Sequence, residues 1–228
     1  MNKPCCTGIY REVIHRKGNF LWKIAEKRKN AGLASSLVDK WFGYAIMAKR
    51  GVMDVLQVAE KLSQLRFSQL MDVYEEGNRE NGRQMYPGLP ENEQLLRAEA
   101  SFYAYLTESF FKTPGAVYAM WTDQGQYVCA LRLEPYQNGY LLEALETKPD
   151  HRNRGCAAAL MKAVLERWPG KIYSHVSKGN MASLAVHEKC GFQKILDHAV
   201  YIDGSVARNA WTLCAPERGK AAQNGKNY

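Results

Sequence analysis

The segment His151-Arg152-Asn153-Arg154-Gly155-Cys156-Ala157 places two arginines and a glycine between an extended run and an amphipathic one. Upstream, Leu141 to Thr147 has the composition of a strand and is closed by Lys148-Pro149. Downstream, Leu160, Met161, Val164, Leu165 and Trp168 fall at helical spacing. A chain that passes from a strand through glycine into a helix presents free backbone N–H groups at the positive end of the helix dipole. Such a turn is an anion site, suited above all to phosphate oxygens. Gly155 and Ala157 keep bulky side chains out of it, and Arg152 and Arg154 add charge that pairs with phosphate.

A second block follows one strand later: Asn180-x-x-Ser183-x-x-x-His187-x-Lys189-x-Gly191-Phe192. The first block, Arg152-x-x-Gly155-x-Ala157, resembles the pyrophosphate-binding motif of the GNAT superfamily of N-acetyltransferases. The second is similar to that superfamily's fourth-helix signature, in which Asn opens the helix and Gly-Phe closes it. Order and separation also match, and the resemblance covers roughly residues 53 to 214. It implies an α/β (α+β) fold with a mixed, mostly antiparallel central sheet of six to seven strands flanked by four helices. It also implies transfer of an acetyl group from acetyl-CoA to an amine, by direct attack on the thioester.

That reaction needs an anchored diphosphate, a polarised carbonyl, a deprotonated amine and a protonated thiolate. The anchor is the turn, with Arg152, Asn153, Arg154, Gly155, Cys156 and Ala157. The resemblance puts the polarising backbone N–H near Leu145 to Thr147, where the fourth strand splays from the fifth, and Pro149 biases Lys148 to an extended conformation. A preorganised donor of this kind contributes on the order of a few kcal/mol to a transition state. For the base, Glu143 and Glu146 lie on that strand, and strict alternation sets them on opposite faces, Glu143 with Leu145 and Thr147, Glu146 with Leu142 and Ala144. Glu143 is preferred, against the commoner reading of a solvated carboxylate. Many members carry tyrosine where this chain has His187; imidazole also donates protons near neutrality. The competing reading is a helix-surface histidine without catalytic duty, and Tyr173, His175 and Tyr201 are alternatives. Asn180 suits a helix N-cap, and by resemblance it faces the pantetheine arm with Ser183.

The elements that must position these groups follow from periodicity and turn chemistry. Val55 to Glu60 alternates as a first strand, with a helix as the alternative, and Phe67, Leu70, Met71 and Tyr74 mark a first helix ending in the polar run Gly77–Gly82. A second helix follows Pro90, with Leu95, Ala98, Phe102, Leu106 and Phe110 on one face, stopped by Thr113-Pro114-Gly115. Three hairpin-linked strands are expected over Ala116–Thr122, Gln126–Glu134 and Tyr140–Thr147, with Asn138-Gly139 as a type I′ turn. The order closes with a strand over Lys171–Ser177, a helix over Asn180–Lys189 and two strands over Phe192–Ile202 and Val206–Leu213, joined at Asp203-Gly204. The acceptor pocket is expected beside the first two helices. There Tyr103, Tyr105, Phe102, Phe110 and Phe111 supply rings, most of which read as core, and Tyr74, Glu75, Asn78 and Arg79 supply polar contacts.

Charge separates the chain into two parts. Residues 1–52 hold eleven Lys and Arg against three Asp and Glu, which accounts for the whole net charge of +8; the remaining residues balance. Three readings fit this basic N-terminal extension: a helical extension, a basic targeting arm, or translated upstream sequence with the functional start at Met53. The third is favoured by Lys49-Arg50-Gly51-Val52 preceding that methionine. Residues 53–228 then form the GNAT domain, with a tail frayed after about 215. The six cysteines, at 5, 6, 129, 156, 190 and 214, lack metal-ligand spacing and read as reduced thiols. The expectation is a cytoplasmic bacterial enzyme, monomer or homodimer, acting on a small-molecule or peptide amine, without nucleic acid, metal or membrane partners. An acyl-CoA-binding sensor or scaffold without transferase activity is the alternative.

Overall fold

Alternating apolar residues build the sheet from Val55 onward, and glycine and asparagine turns fold it on itself. The computed structural model describes residues 55–215 and residue 217. The basic segment 1–52 and its three readings, Met53 itself, and most of the tail lie outside that range.

The strands are β1 (Val55–Ala59), β2 (Val117–Asp123), β3 (Gln126–Tyr136), β4 (Gly139–Thr147), β5 (Lys171–Ser177), β6 (Gln193–Leu196), β7 (Ala199–Val200), β8 (Val206–Ala207) and β9 (Ala210–Ala215). The α-helices are α1 (Phe67–Val73), α2 (Glu75–Met85), α3 (Glu91–Glu108), α4 (Cys156–Arg167) and α5 (Met181–Lys189). Seven strands form one sheet in the order β1-β2-β3-β4-β5-β9-β6, and β7 and β8 form a separate hairpin. Every pairing is antiparallel except β4 with β5, which run parallel. The mixed, mostly antiparallel sheet is therefore the expected one.

Two apolar layers cover its faces. On the rear face, Leu131, Leu133, Leu142, Ile172 and Val176 pack against Leu160, Met161, Val164 and Leu165 of α4. On the front face, Tyr118, Met120, Tyr127 and Ala130 pack against Leu70, Phe102, Tyr105 and Leu106 from α1 and α3.

The helix count and the last strands differ from expectation. Among the described residues five α-helices are present rather than four, because the polar run Gly77–Gly82 is the middle of α2. Its polarity conceals a packed face: Asn78 and Gly82 are buried, and a Cβ on Gly82 would lie 2.7 Å from the Gln94 carbonyl oxygen. Glycine there admits α3 at close range, and Glu75 pairs with Arg79 along the exposed side. The run Phe192–Ile202 is interrupted into β6 and β7, and Val206–Leu213 into β8 and β9, because the hairpin leaves the sheet to lie over its front face. The turn before β4 is one residue earlier than Asn138-Gly139: Tyr136 pairs with Gly139, so Gln137 and Asn138 turn the chain. Gly139 is needed for proximity instead, since a Cβ would lie 2.1 Å from the Lys171 carbonyl oxygen. That contact seals the start of the β4–β5 pair.

Candidate active site

The parallel pairing of β4 with β5 lasts only from Gly139–Lys171 to Leu142–Ser174. Beyond it the strands part, leaving the β5-facing edge of Glu143 to Thr147 without a β5 partner. The parting begins where β4 is bulged. Arg132 pairs with Glu143 and Ala130 with Glu146, so two residues of β4, Ala144 and Leu145, oppose the single Leu131. Ala144 takes a left-handed φ of 52°. The Tyr74 hydroxyl donates to the Ala144 carbonyl at 2.6 Å, pinning the bulge to the helical layer.

The bulge overturns the expected alternation. Glu143 and Glu146 share the front face with their partners Arg132 and Ala130, while Leu142, Leu145 and Thr147 turn to the rear, Thr147 bonding Cys129. Strict period-two reading fails here because one extra residue resets the faces.

The two carboxylates then meet different neighbours. Glu143 is buried, and Arg132 donates to its Oε2 from Nε at 3.3 Å and from Nη2 at 3.1 Å. Arg132 also lies 3.9 Å from Glu134, which accepts from the Tyr105 hydroxyl at 2.8 Å, and its guanidinium stacks 4.8 Å from the Tyr105 ring centre. Burial raises the Glu134 carboxyl above its ordinary range. Glu146 is half-buried and bonded to Arg152 at 3.3 Å, and Arg152 also pairs with Glu76 on α2. Burial pushes the Glu146 carboxyl upward, Glu76 and Glu80 push the same way, and Arg152 opposes them.

At the open end of the splay, Asn153 (φ 61°) and Gly155 (φ 83°) bend the chain into α4. Gly155 is the N-cap of α4, no side chain caps the helix, and a Cβ at Gly155 would meet no atom within 4 Å. The first-turn amides from Cys156 onward therefore have no side-chain cap, and the space beside Gly155 is open. Arg154 is exposed, whereas Arg152 is turned toward β4, donating to the Thr147 carbonyl as well as to the carboxylates.

Across the splay, Asn180 caps α5, its side-chain oxygen accepting from the Ser183 N–H at 3.1 Å. His187 is 1 % exposed, so it is not the helix-surface histidine of the competing reading. Its Nδ1 lies 2.7 Å from the Ser183 carbonyl and its Nε2 2.9 Å from the Ser174 hydroxyl. A carbonyl only accepts, so Nδ1 carries the proton and Nε2 accepts from Ser174. Burial lowers its pKa, and the ring is held neutral against β5.

Several residues of the expected acceptor region are core. Phe102, Tyr105 and Phe110 are buried, Phe111 packs on Phe110, and Tyr103 is exposed with Phe67 against its ring. Asn78 is buried on Met71, and Arg79 pairs with Glu75 and Glu91. The free thiols at Cys129, Cys156, Cys190 and Cys214 are dispersed; burial pushes Cys129 up to about 12. Among the described residues no cluster could hold a metal ion, and no helix is long and apolar enough to cross a membrane.

A strand pair that splays beside a glycine-capped helix start is the arrangement the two sequence blocks lead to, and the profile of the acetyltransferase (GNAT) family matches residues 74–192, more than half of the chain. The chain belongs to the GNAT acetyltransferase family.

The fold recurs in a solved structure. A histone acetyltransferase HPA2 and related acetyltransferase from Corynebacterium glutamicum aligns with a TM-score of 0.53 at 14% identity, over 73% of this chain and 98% of that one. The PaiA N-acetyltransferase from Thermoplasma acidophilum, in complex with coenzyme A, aligns with a TM-score of 0.49 at 13% identity, over 72% and 99%. No curated sequence matches the chain. GNAT membership makes acetyl-CoA the acyl donor, and the residues present fit it: uncapped amides and empty space at Gly155 suit a diphosphate, and the open edge of β4 suits an extended thioester arm.

Sequence reasoning missed Arg132 and Glu134 as parts of this site, and gave Tyr74 to the acceptor pocket rather than to the β4 bulge it holds. Arg132 alternates with Ala130 and Glu134 inside an otherwise apolar strand, and a charge in that pattern was the available signal.

Proposed function

We propose that this GNAT domain transfers the acetyl group of acetyl-CoA to a primary amine of a small molecule or peptide, by direct attack on the thioester carbonyl. The observation that carries the reading is the parting of β4 from β5 after Leu142 and Ser174, open to the α4 N-terminus at one end and to the buried Arg132–Glu143 pair on the front face.

Each residue has a part in that reading. The amides of Gly155, Cys156 and Ala157 take the diphosphate, with Asn153 shaping the turn and Arg154 adding charge at its rim. Arg152 acts mainly as a brace between α2 and β4, through Glu76 and Glu146. Backbone N–H groups between Leu145 and Thr147 polarise the carbonyl, where the strand edge is free of β5. Asn180 and Ser183 line the arm's far side. Glu143 places negative charge where an ammonium must approach. Glu146, braced by Arg152, lines the same face further along. His187, neutral and bonded on both nitrogens, positions Ser174 and α5 and leaves the leaving thiolate to be protonated from elsewhere.

The same feature supports a second reading. A buried histidine at the family's tyrosine position is consistent with an acyl-CoA-binding sensor or scaffold that does not turn over. Thiol release from acetyl-CoA, followed over a panel of small and peptide amines, separates the two. The transferase reading expects acceptor-dependent release with acetylated amine as product. Saturable acetyl-CoA binding without release on any amine contradicts it.

A further inference from the structure

His175 stands on β5 immediately after Ser174, the last residue paired to β4. Residues of β5 alternate, and Ile172 and Val176 pack on the rear core, so His175 is turned to the front with Tyr173. Its ring is enclosed edge-on by Tyr136 from β3 at 5.7 Å and by Tyr201, between β7 and β8, at 5.0 Å. Among the described residues, neither of its ring nitrogens has a hydrogen-bond partner, and both are buried. A buried imidazole without a partner is costly unless something else supplies one. The groups facing it are Glu143 from β4, whose charge it feels, and the Tyr136 and Tyr201 rings, with Tyr173 on its own strand.

We infer that His175 is the proton acceptor for the incoming amine. The inference rests on the transferase reading and adds a catalytic residue to it. Glu143 stands beside it but is engaged on Oε2 by Arg132. The ammonium is drawn by the Glu143 charge and passes one proton to a His175 nitrogen. The freed lone pair attacks the thioester carbonyl carbon, so that a C–N bond forms and the C–S bond breaks, with sulfur leaving as thiolate. The nitrogen sheds its remaining extra proton to solvent, and the imidazolium returns its proton to the thiolate, directly or through water. One ammonium and one thioester give one amide, one thiol and one released proton. Burial depresses the His175 pKa, which keeps the ring neutral and ready to accept at neutral pH.

The test compares native protein with His175→Gln and His175→Ala in acetyl transfer to two amines of different basicity. In His175→Gln, kcat is expected to fall about 100-fold or more, with acetyl-CoA affinity and unfolding temperature unchanged. In native protein the acid limb of kcat/KM contains an inflection that does not move with the acceptor's pKa, and the variant loses it. Added imidazole restores turnover in His175→Ala. A His175→Gln enzyme within about threefold of native kcat, or one that keeps that inflection, overturns the assignment alone. Absence of transfer by native protein to any amine overturns the transferase reading, and this inference with it.

Discussion

Glu143 and His175 stand on either side of the point where β4 and β5 part: each directly follows one member of the last rung, Leu142–Ser174, and the charge of Glu143 reaches the imidazole. Both lie on the front face, and behind Glu143 sit Arg132 and Glu134. This group is almost wholly buried, with one cation serving two carboxylates.

Removing the cation should be severe. Arg132→Leu leaves Glu143 and Glu134 buried without their common partner, and breaking a buried pair in this way costs about 3–5 kcal/mol. Urea unfolding of the variant should show a lowered midpoint with an unchanged slope. An unshifted midpoint would mean that water already solvates the two carboxylates.

The buried histidines set a direction for pH dependence. Burial holds His175 and His187 below the ordinary value near 6.5, so the unfolded chain takes up protons first as pH falls. Their contribution to stability is present above that value and is lost as pH drops through their folded-state values. Glu134 and Glu146, raised by burial, act in the opposite sense as pH falls through their folded-state values toward the ordinary 4.5. The unfolding temperature should therefore decline from about pH 7 to about pH 5. His187→Leu should flatten that decline. It should also cost about 1–3 kcal/mol at neutral pH, because the buried Ser174 hydroxyl loses its acceptor. A variant as steeply pH-dependent as native protein would assign the effect to other groups.

Much of the frame was legible from short-range signals. Gly155, Asn180 and the 3.6-residue stripe of α4 announce a strand–turn–helix and a capped helix because caps and turns are decided by a few adjacent residues. Two features that shape the candidate site were not legible. Nothing local marks Ala144 as left-handed; the bulge is held by Tyr74, far away in sequence, which donates to its carbonyl. Likewise α2 looks like a polar loop until Gly82 is seen against the Gln94 backbone. Both depend on contacts across the fold rather than along the chain.

Residues 1–52 carry the entire net charge, whereas the described sheet and its two apolar layers begin at Val55. Protein expressed from Met53 is therefore expected to match the full chain in unfolding temperature and acetyl-CoA affinity. An insoluble product, or one several kcal/mol less stable, would show that Trp22, Trp41 or Phe42 packs into the domain.

The anchoring of acetyl-CoA on the Gly155 turn underlies every other assignment, and calorimetric titration of native protein and Gly155→Val measures it directly. The valine puts a branched side chain into the open space before the α4 amides, at a φ of 83° that costs about 1–2 kcal/mol of local strain. The account predicts saturable acetyl-CoA binding by native protein and none measurable by a folded Gly155→Val variant. Equal affinity in the two proteins would contradict it.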